Sequence, residues 1–239
     1  MKKLAALIIL STLLVVSCRF TGKRIKGNGQ VTTENRDPGV FDGVSSNGTF
    51  DVYVAIGSPA SVKIEAESNI LPYIETFVDN NILKIRTKDN VWLRTRRSVK
   101  IFVTAPRLQK IYATGTGDII GQTPITDSSK LDLSVQGNGK INLEVDAPEL
   151  KAELKGNGGI QLKGQSRFFD CKLHGNGNLK AFDLMAEETK VQILGNGDAE
   201  VYASVKLDVT VAGNGDVRYK GNAQPSSHIT GNGSVNQVK

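Results

Sequence analysis

The chain has 239 residues, a formal net charge of +6 and only two cysteines. Without the two lysines of the N-terminal segment described below, the charge falls from +6 to +4, a mild value that argues against a dedicated polyanionic partner such as nucleic acid. Cys171 is then the sole remaining thiol, which excludes an intramolecular disulfide. Its place among apolar residues predicts a buried, unreactive side chain.

The first 18 residues are typical of a bacterial signal sequence. Lys2 and Lys3 precede an uncharged stretch, residues 4–16, that is too short to span a bilayer comfortably. Small residues then lead to Cys18, as in the lipobox of bacterial lipoproteins, in which this cysteine becomes the lipidated first residue of the mature chain. We therefore expect an exported protein anchored in the outer membrane, on its periplasmic or external face, through acyl chains on Cys18.

Residues 19–37 are polar and contain three basic side chains, Lys23, Arg24 and Lys26. We expect this segment to be a tether between the anchor and a single folded domain over residues 38–235. Its basic side chains could meet anionic lipid head groups, or the segment could be a solvated linker.

Residues 38–105 alternate between apolar and polar side chains without a fixed period. Runs at 50–56, 62–66, 83–85 and 99–103 predict strands, with turn signals between them. We expect an irregular, β-rich part of the same domain that covers the N-terminal end of the repeats.

Gly-Asn-Gly triplets mark an internal repeat over residues 106–235. A near copy begins at Gly115, and the triplets that follow begin at Gly137, Gly156, Gly175, Gly195, Gly213 and Gly231, with spacings of 18 to 22 residues. Apolar residues alternate with polar ones before and after each triplet, so one strand enters it and a second leaves it. This pattern predicts an all-β fold, a flattened parallel β-solenoid of two sheets with about 18–20 residues per coil.

We interpret the triplets as tight corners in which the glycines face inward, where no Cβ fits, and the asparagines face outward. Stacked asparagines could hydrogen-bond to one another as a ladder. The corner residues are Gly137, Asn138, Gly139, Gly156, Asn157, Gly158, Gly175, Asn176, Gly177, Gly195, Asn196, Gly197, Gly213, Asn214 and Gly215. A further triplet, at residues 27–29, lies outside the period.

Several segments together resemble a known family. They are the lipobox, the segments 41–44 (FDGV), 50–54 (FDVYV) and 103–108 (VTAPRL), and the repeated Gly-x-Gly corners. With these features the chain resembles the putative auto-transporter adhesin, head GIN domain family, whose members are mostly envelope proteins of Bacteroidota-type bacteria. The resemblance covers nearly all of residues 38–235. It implies a β-helical fold and an adhesin-like role, and it brings no catalytic residues to this chain.

A basic cluster with an aromatic residue is the first candidate site. It consists of Trp92, Arg94, Arg96 and Arg97. Such a cluster could dock a sulfated or carboxylated glycan, lipopolysaccharide or an anionic lipid surface. It could also be an exposed loop that its charge keeps soluble.

A pair of carboxylates is the second candidate site. Asp198 and Asp216 directly follow their triplets and should lie one coil apart. Together they could bind a divalent cation, or they could simply face solvent. The sequence contains no Ser/His/Asp set and no HExxH or CxxC motif, and we expect no cofactor.

Three functions fit these observations. The favoured one is a non-catalytic, membrane-anchored envelope lipoprotein whose solenoid presents a surface to a glycan or an envelope protein. A polysaccharide-processing enzyme would need carboxylates and basic residues around a groove, and short coils leave few loops to build one. A purely structural, homo-oligomeric protein would need an exposed apolar stripe, whereas the outward positions are mainly polar.

Overall fold

A computed structural model describes residues 22–127 and 129–238, so the expected signal sequence and Cys18 lie outside the described residues. The regular structure within them is β-strand, apart from a short 3₁₀ turn at Leu71–Tyr73. The strands are β1 Lys23–Lys26, β2 Val31–Arg36, β3 Gly43–Gly48, β4 Asp51–Ile56, β5 Ser61–Glu67, β6 Ile74–Asp79, β7 Ile82–Thr87, β8 Val91–Arg94, β9 Lys100–Ala105, β10 Lys110–Gly115, β11 Ile119–Gly121, β12 Ile125–Thr126, β13 Lys130–Gly137, β14 Lys140–Gly156, β15 Gly159–Gly175, β16 Asn178–Gly195, β17 Ala199–Tyr202, β18 Lys206–Gly213, β19 Val217–Lys220, β20 Gln224–Gly231 and β21 Val235–Gln237.

The repeat region is a stack of parallel strands in which each coil repeats the register of the coil before it. Along one side, the paired strands follow the order β10, β13, β14, β15, β16, β18 and β20. Strands β14, β15 and β16 have 17 or 18 residues because each continues around the corner opposite its triplet. The stack has about seven coils, which confirms the expected parallel β-solenoid.

Apolar side chains line the interior in columns that run from coil to coil. The members of one column, none more than 2% exposed, are Leu83, Val44, Ile111, Leu133, Ala152, Cys171, Val191 and Val209. Burial of a Leu, Ile or Val side chain stabilises the fold by about 1.5–3 kcal/mol. The columns therefore hold neighbouring coils together, while the polar residues between them face outward.

The spatial order of strands at the N-terminal end differs from their order in the chain. Strands β7 and β9 pair in parallel with β3 and β4, and β10 and β11 pair with the other edges of the same two strands. The first half thus adds an outer coil to the stack, and antiparallel pairs β6–β7 and β5–β9 fold back onto it. In this register Gly48 lies opposite Gly115, so the corner column begins in the irregular half.

Residues 22–37 do not form the expected tether. Strand β1 pairs in parallel with β8, and β2 pairs in antiparallel fashion with β5. The expectation was wrong because this segment gains its order from strands far along the chain, which a local polar pattern does not reveal. Only Ile25 carries an apolar side chain into the core, at 9% exposure.

The last coil closes the stack without an apolar interior of its own. All side chains of β20 are exposed, although the strand pairs in register with β18. Pro225 lies opposite Leu207 and has no backbone N–H to donate. This strand covers the core and blunts the open edge of the sheet.

Candidate functional site

The glycines of the triplets are required by the neighbouring coil. Gly156 has a φ of +122°, and a Cβ added to it would overlap the carbonyl oxygen of Gly137 one coil earlier. A Cβ on Gly158 would overlap the carbonyl oxygen of Gly139 and approach the Val135 side chain to 3.0 Å. The main clash therefore runs along the stacking axis, and the expected crowding by the interior is secondary. Both glycines serve close backbone packing.

The asparagines of the triplets form a ladder along the outer edge of the corners. The side-chain amide of Asn157 donates to Asn138 at 3.3 Å, and that of Asn176 donates to Asn157 at 3.0 Å. The ladder continues from Asn196 to Asn176 at 2.9 Å and from Asn214 to Asn196 at 2.7 Å. These hydrogen bonds join neighbouring coils along the corners, as the expected ladder does.

The two candidate metal-binding carboxylates take part in a similar coil-to-coil contact. The Asp198 side chain accepts a hydrogen bond from the Asp216 backbone N–H at 2.9 Å. The Asp216 side chain in turn accepts from the Ser234 N–H at 2.9 Å and from its hydroxyl at 2.7 Å. The described residues contain no group of three or more His, Cys, Asp or Glu side chains suited to a metal ion. These hydrogen bonds account for the two aspartates as parts of the fold.

The triplet outside the period wraps around a buried carboxylate. Glu67 is fully buried, and its side chain accepts hydrogen bonds from the N–H groups of Gly29 at 2.5 Å and Arg96 at 2.8 Å. A Cβ on Gly27 would overlap the same carboxylate. Burial alone raises the pKa of Glu67, but hydrogen bonds from the backbone of Arg96, Gly29 and Arg97 outweigh this effect and hold the pKa below its ordinary value. Glu67 therefore ties the segment between β1 and β2, which we call the N-terminal arm, to the turn after β8.

Strands β1 and β8 form a two-stranded ribbon with one charged face. Arg24 lies opposite Trp92, and Lys26 lies opposite Arg94. All four side chains are exposed, Trp92 to 53%, whereas Ile25 between them is buried. We call Arg24, Lys26, Trp92 and Arg94 the ribbon face.

The chain after β8 lines a cleft of about 420 Å³. We call it the basic cleft; its lining residues are Val31, Glu65, Arg96, Arg97, Ser98 and Lys100. The structure thus divides the basic cluster expected from the sequence. Trp92 and Arg94 lie on the ribbon face, while Arg96 and Arg97 line the basic cleft.

Some cations of the solenoid faces form ion pairs, and exposed lysines such as Lys172, Lys180 and Lys190 form none within the described residues. Ion pairs on the faces join Lys130 to Asp132, Lys151 to Glu149, Lys155 to Glu153, Lys163 to Glu144, Lys206 to Asp208 and Arg218 to Glu200. Within the described residues, the cations of the ribbon face form no ion pair, and neither do Arg97 and Lys100, while Arg96 is attracted to Glu67. Glu65, the acidic residue of the cleft, is paired with Lys63 at 3.1 Å. Positive charge is therefore concentrated at this end of the molecule, where Asp51 and Glu65 lie opposite Lys100 in register.

A groove of about 490 Å³ at the corners opposite the triplets is the place where an enzyme site could be sought. Its two carboxylates are both engaged. Asp146 accepts a hydrogen bond from Gln165 at 2.9 Å, and Glu187 lies 3.9 Å from Arg167. This groove gives no specific support to the alternative of a polysaccharide-processing enzyme.

Sequence reasoning found the basic cluster but missed its partners. Arg24 and Lys26 lie in the segment that the sequence predicts to be a tether, and no local pattern marks Glu67. The sequence contains one signal of this contact, the Gly-Asn-Gly triplet at residues 27–29. Because this triplet lies outside the period of the repeat, its glycines must serve a backbone contact other than coil stacking. Its distance in sequence from Glu67 concealed which residue it contacts.

Comparisons with known proteins agree with this fold. A crystal structure of a putative adhesin from Bacteroides fragilis NCTC 9343 has 23% identity and a TM-score of 0.84, over 90% of this chain and 100% of that chain. A crystal structure of a putative lipid binding protein from Parabacteroides distasonis ATCC 8503 has 27% identity and a TM-score of 0.79, over 91% of this chain and 100% of that one. A putative adhesin from Parabacteroides merdae ATCC 43184 has 24% identity and a TM-score of 0.69, over 91% and 100% of the two chains.

No curated protein matches the chain. The described part of the chain contains no helix of the length and hydrophobicity that crossing a bilayer requires. The family of putative auto-transporter adhesins with a head GIN domain matches residues 40–223, which is more than half of the chain, and the match confirms the resemblance seen in the sequence. The chain therefore belongs to the putative auto-transporter adhesin, head GIN domain family.

Proposed function

We propose that the chain is a membrane-anchored envelope lipoprotein that acts without catalysis and presents an adhesin-like interaction surface. Cys18 supplies the anchor, and the solenoid supplies a rigid body that holds the surface in a fixed shape. The docking site is the basic cleft, and its partner is a glycan or an envelope protein that carries carboxylate or sulfate groups.

The three cations that line the cleft are the observation that carries this proposal. The cleft brings the side chains of Arg96, Arg97 and Lys100 together, and Arg97 and Lys100 have no ion-pair partner in the described chain. A guanidinium group can donate two parallel hydrogen bonds to a carboxylate or sulfate, which adds geometric selectivity to charge. Glu67 fixes the backbone at Arg96 and so orders the cleft before any partner arrives.

The binding test compares two triple variants of the mature chain on an array of sulfated and carboxylated glycans and in pull-down from envelope extracts. Arg96→Ala, Arg97→Ala and Lys100→Ala together remove the charge of the cleft and keep the backbone N–H that bonds Glu67. Loss of one charge-assisted hydrogen bond weakens binding by about tenfold or more, so binding should fall at least that far. The control variant, Lys172→Ala, Lys180→Ala and Lys190→Ala, loses the same charge from exposed solenoid positions and should bind normally.

Equal binding by both variants would show that the cleft is not the docking site. Cleavage of an acidic polysaccharide by the wild-type chain would overturn the non-catalytic assignment. A separate experiment tests the lipid anchor. Cys18→Ala should abolish acyl labelling in cells, and persistent labelling would show that Cys18 is not the lipidated residue.

A further inference from the structure

The ribbon of β1 and β8 has two faces of opposite character. Ile25 is buried, and Val91 and Leu93 are half-buried and pack against the core. The ribbon is closed at its ends by hydrogen bonds from the Lys23 N–H to the Asn90 carbonyl at 2.7 Å and from the Gly27 N–H to a carbonyl of β8 at 3.0 Å. The apolar side therefore fixes the ribbon on the domain, and the ribbon face points away from the core.

Three cations surround one large aromatic side chain on the ribbon face. Arg24 and Trp92 are paired in register, and Lys26 and Arg94 form the next outward pair. Neither strand contains an acidic residue. Cations beside an exposed tryptophan suit the surface of a bilayer, because the indole ring sits at the head-group level and the cations meet lipid phosphates.

The position of the ribbon in the chain brings it close to the expected anchor. Lys23 follows Cys18 by five residues, and a fully extended chain covers at most about 3.6 Å per residue, so β1 lies within about 18 Å of the lipidated residue. At physiological ionic strength, attraction between charges extends over roughly 8 Å. A link of at most about 18 Å confines the ribbon to the vicinity of the membrane surface and so raises its effective concentration there.

We propose that the ribbon face docks on the anionic phosphate head groups of the membrane in which the chain is anchored. The inference rests on the lipid anchor of the proposed function and concerns a different surface from the basic cleft. Docking adds a second contact to the attachment at Cys18 and so orients the domain on the membrane, because the apolar side of the ribbon packs against the core. Trp92 enters the head-group region, and Arg24, Lys26 and Arg94 contact phosphates around it.

Trp92 is the only tryptophan of the chain, so its fluorescence reports on this face alone. The mature, acylated full-length chain is reconstituted into vesicles of phosphatidylcholine, with or without phosphatidylglycerol. With phosphatidylglycerol, we expect Trp92 emission to shift to shorter wavelength and to be quenched by lipids brominated near the head group. Both effects should be absent with phosphatidylcholine alone, and about 1 M salt should reverse them, since the screening length falls to about 3 Å.

Two matched variants separate the ribbon face from general charge. Arg24→Glu, Lys26→Glu and Arg94→Glu together should abolish the shift and the quenching while the chain stays anchored. Lys172→Glu, Lys180→Glu and Lys190→Glu change the net charge equally on the solenoid and should leave both effects in place. The salt dependence of the wild-type chain keeps the test decisive even if the ribbon variant folds poorly.

Failure of the anchor and failure of the ribbon have different outcomes. If the chain carries no acyl group, the lipid anchor is refuted. The ribbon face can then still be tested with the Cys18→Ser chain. Flotation of this chain with phosphatidylglycerol vesicles, but not with phosphatidylcholine vesicles, would support docking of the ribbon face on anionic head groups. An anchored chain whose Trp92 emission is the same in both lipids overturns this inference and leaves the anchor intact. An equal emission shift with a soluble sulfated glycan in place of vesicles would assign the face to glycans and also overturn it.

Discussion

The carboxylate of Glu67 has more influence on the N-terminal end than any motif visible in the sequence. It is buried, it bonds the backbone of Gly29 on the N-terminal arm, and it bonds the backbone of Arg96 at the start of the basic cleft. These are charge-assisted hydrogen bonds, which are stronger than neutral ones. One residue therefore links the segment between β1 and β2 to the start of the basic cleft.

Glu67→Gln should lower the melting temperature at pH 7, because Gly29 and Arg96 bond different carboxylate oxygens, and the amide replaces one of these acceptors with an NH2 donor and removes the charge. The folded-state pKa of Glu67 lies below its ordinary value of 4.5. Its stabilisation is thus fully present above pH 4.5 and is lost as the pH falls through the folded-state pKa. The gap in melting temperature between the wild-type chain and the variant should narrow as the pH falls below 4.5, which calorimetry over a pH series measures.

Glu65→Gln is the matched control for this prediction. Glu65 lies two residues earlier on β5, is partly exposed and pairs with Lys63 at the surface. Exposed pairs contribute about 0–1 kcal/mol, so the control should melt close to the wild-type chain. If the two variants had the same melting temperature, the hydrogen bonds from Gly29 and Arg96 to Glu67 would not be the contacts that hold the segment between β1 and β2 in place.

At the scale of the coil, the Gly-Asn-Gly corner determines how closely neighbouring strands can stack. The first glycine of each triplet has positive φ, and its missing Cβ admits the carbonyl oxygen of the coil before it. The same carbonyl accepts hydrogen bonds from the next two residues of the corner; Gly137, for example, accepts from Asn157 and Gly158, each at 3.0 Å. A side chain at this position would therefore disturb φ, stacking distance and hydrogen bonds together.

Gly156→Ala should destabilise the fold by about 2–4 kcal/mol, since it combines an unfavourable φ with overlap onto the Gly137 carbonyl. Gly159→Ala is the control three residues later, where the nearest atom to an added Cβ is 3.5 Å away and φ is not positive. That change should be neutral or stabilise by about 0.4–1 kcal/mol. Urea unfolding followed by circular dichroism compares the two, and similar losses in both would contradict the corner as the strained position.

At the scale of the whole molecule, the sequence predicts the repeated half far better than the first half. The spacing of the triplets and the alternation of apolar and polar residues around Gly156 or Gly195 predict the solenoid, because a solenoid repeats the same local contacts in every coil. Strand β1 was not predictable in this way, since its partner β8 lies more than sixty residues later and its side chains are mainly charged. The ribbon face depends on that pairing, and the basic cleft depends on the pairing of β2 with β5, so their composition emerges only in three dimensions.

The stack as a whole should protect its interior while its last coil opens more easily. In a solenoid each coil contacts only its neighbours, so an end coil lacks one stabilising interface. Cys171 and Ser227 belong to the same interior column, but Cys171 is fully buried in the middle of the stack and Ser227 is exposed in β20. Burial also raises the pKa of the Cys171 thiol, so little reactive thiolate exists in the folded chain.

Labelling with a thiol reagent at pH 8 tests this difference in a Cys18→Ser chain, in which Cys171 is the only thiol. We expect labelling to be slower than in the unfolded chain by about a thousandfold or more, because it requires the surrounding coils to open. Cys171→Ala combined with Ser227→Cys moves the thiol to the end of the column and should restore labelling close to the unfolded rate. Equally slow labelling at both positions would mean that the last coil is covered, and equally fast labelling would mean that the stack does not act as a cooperative unit.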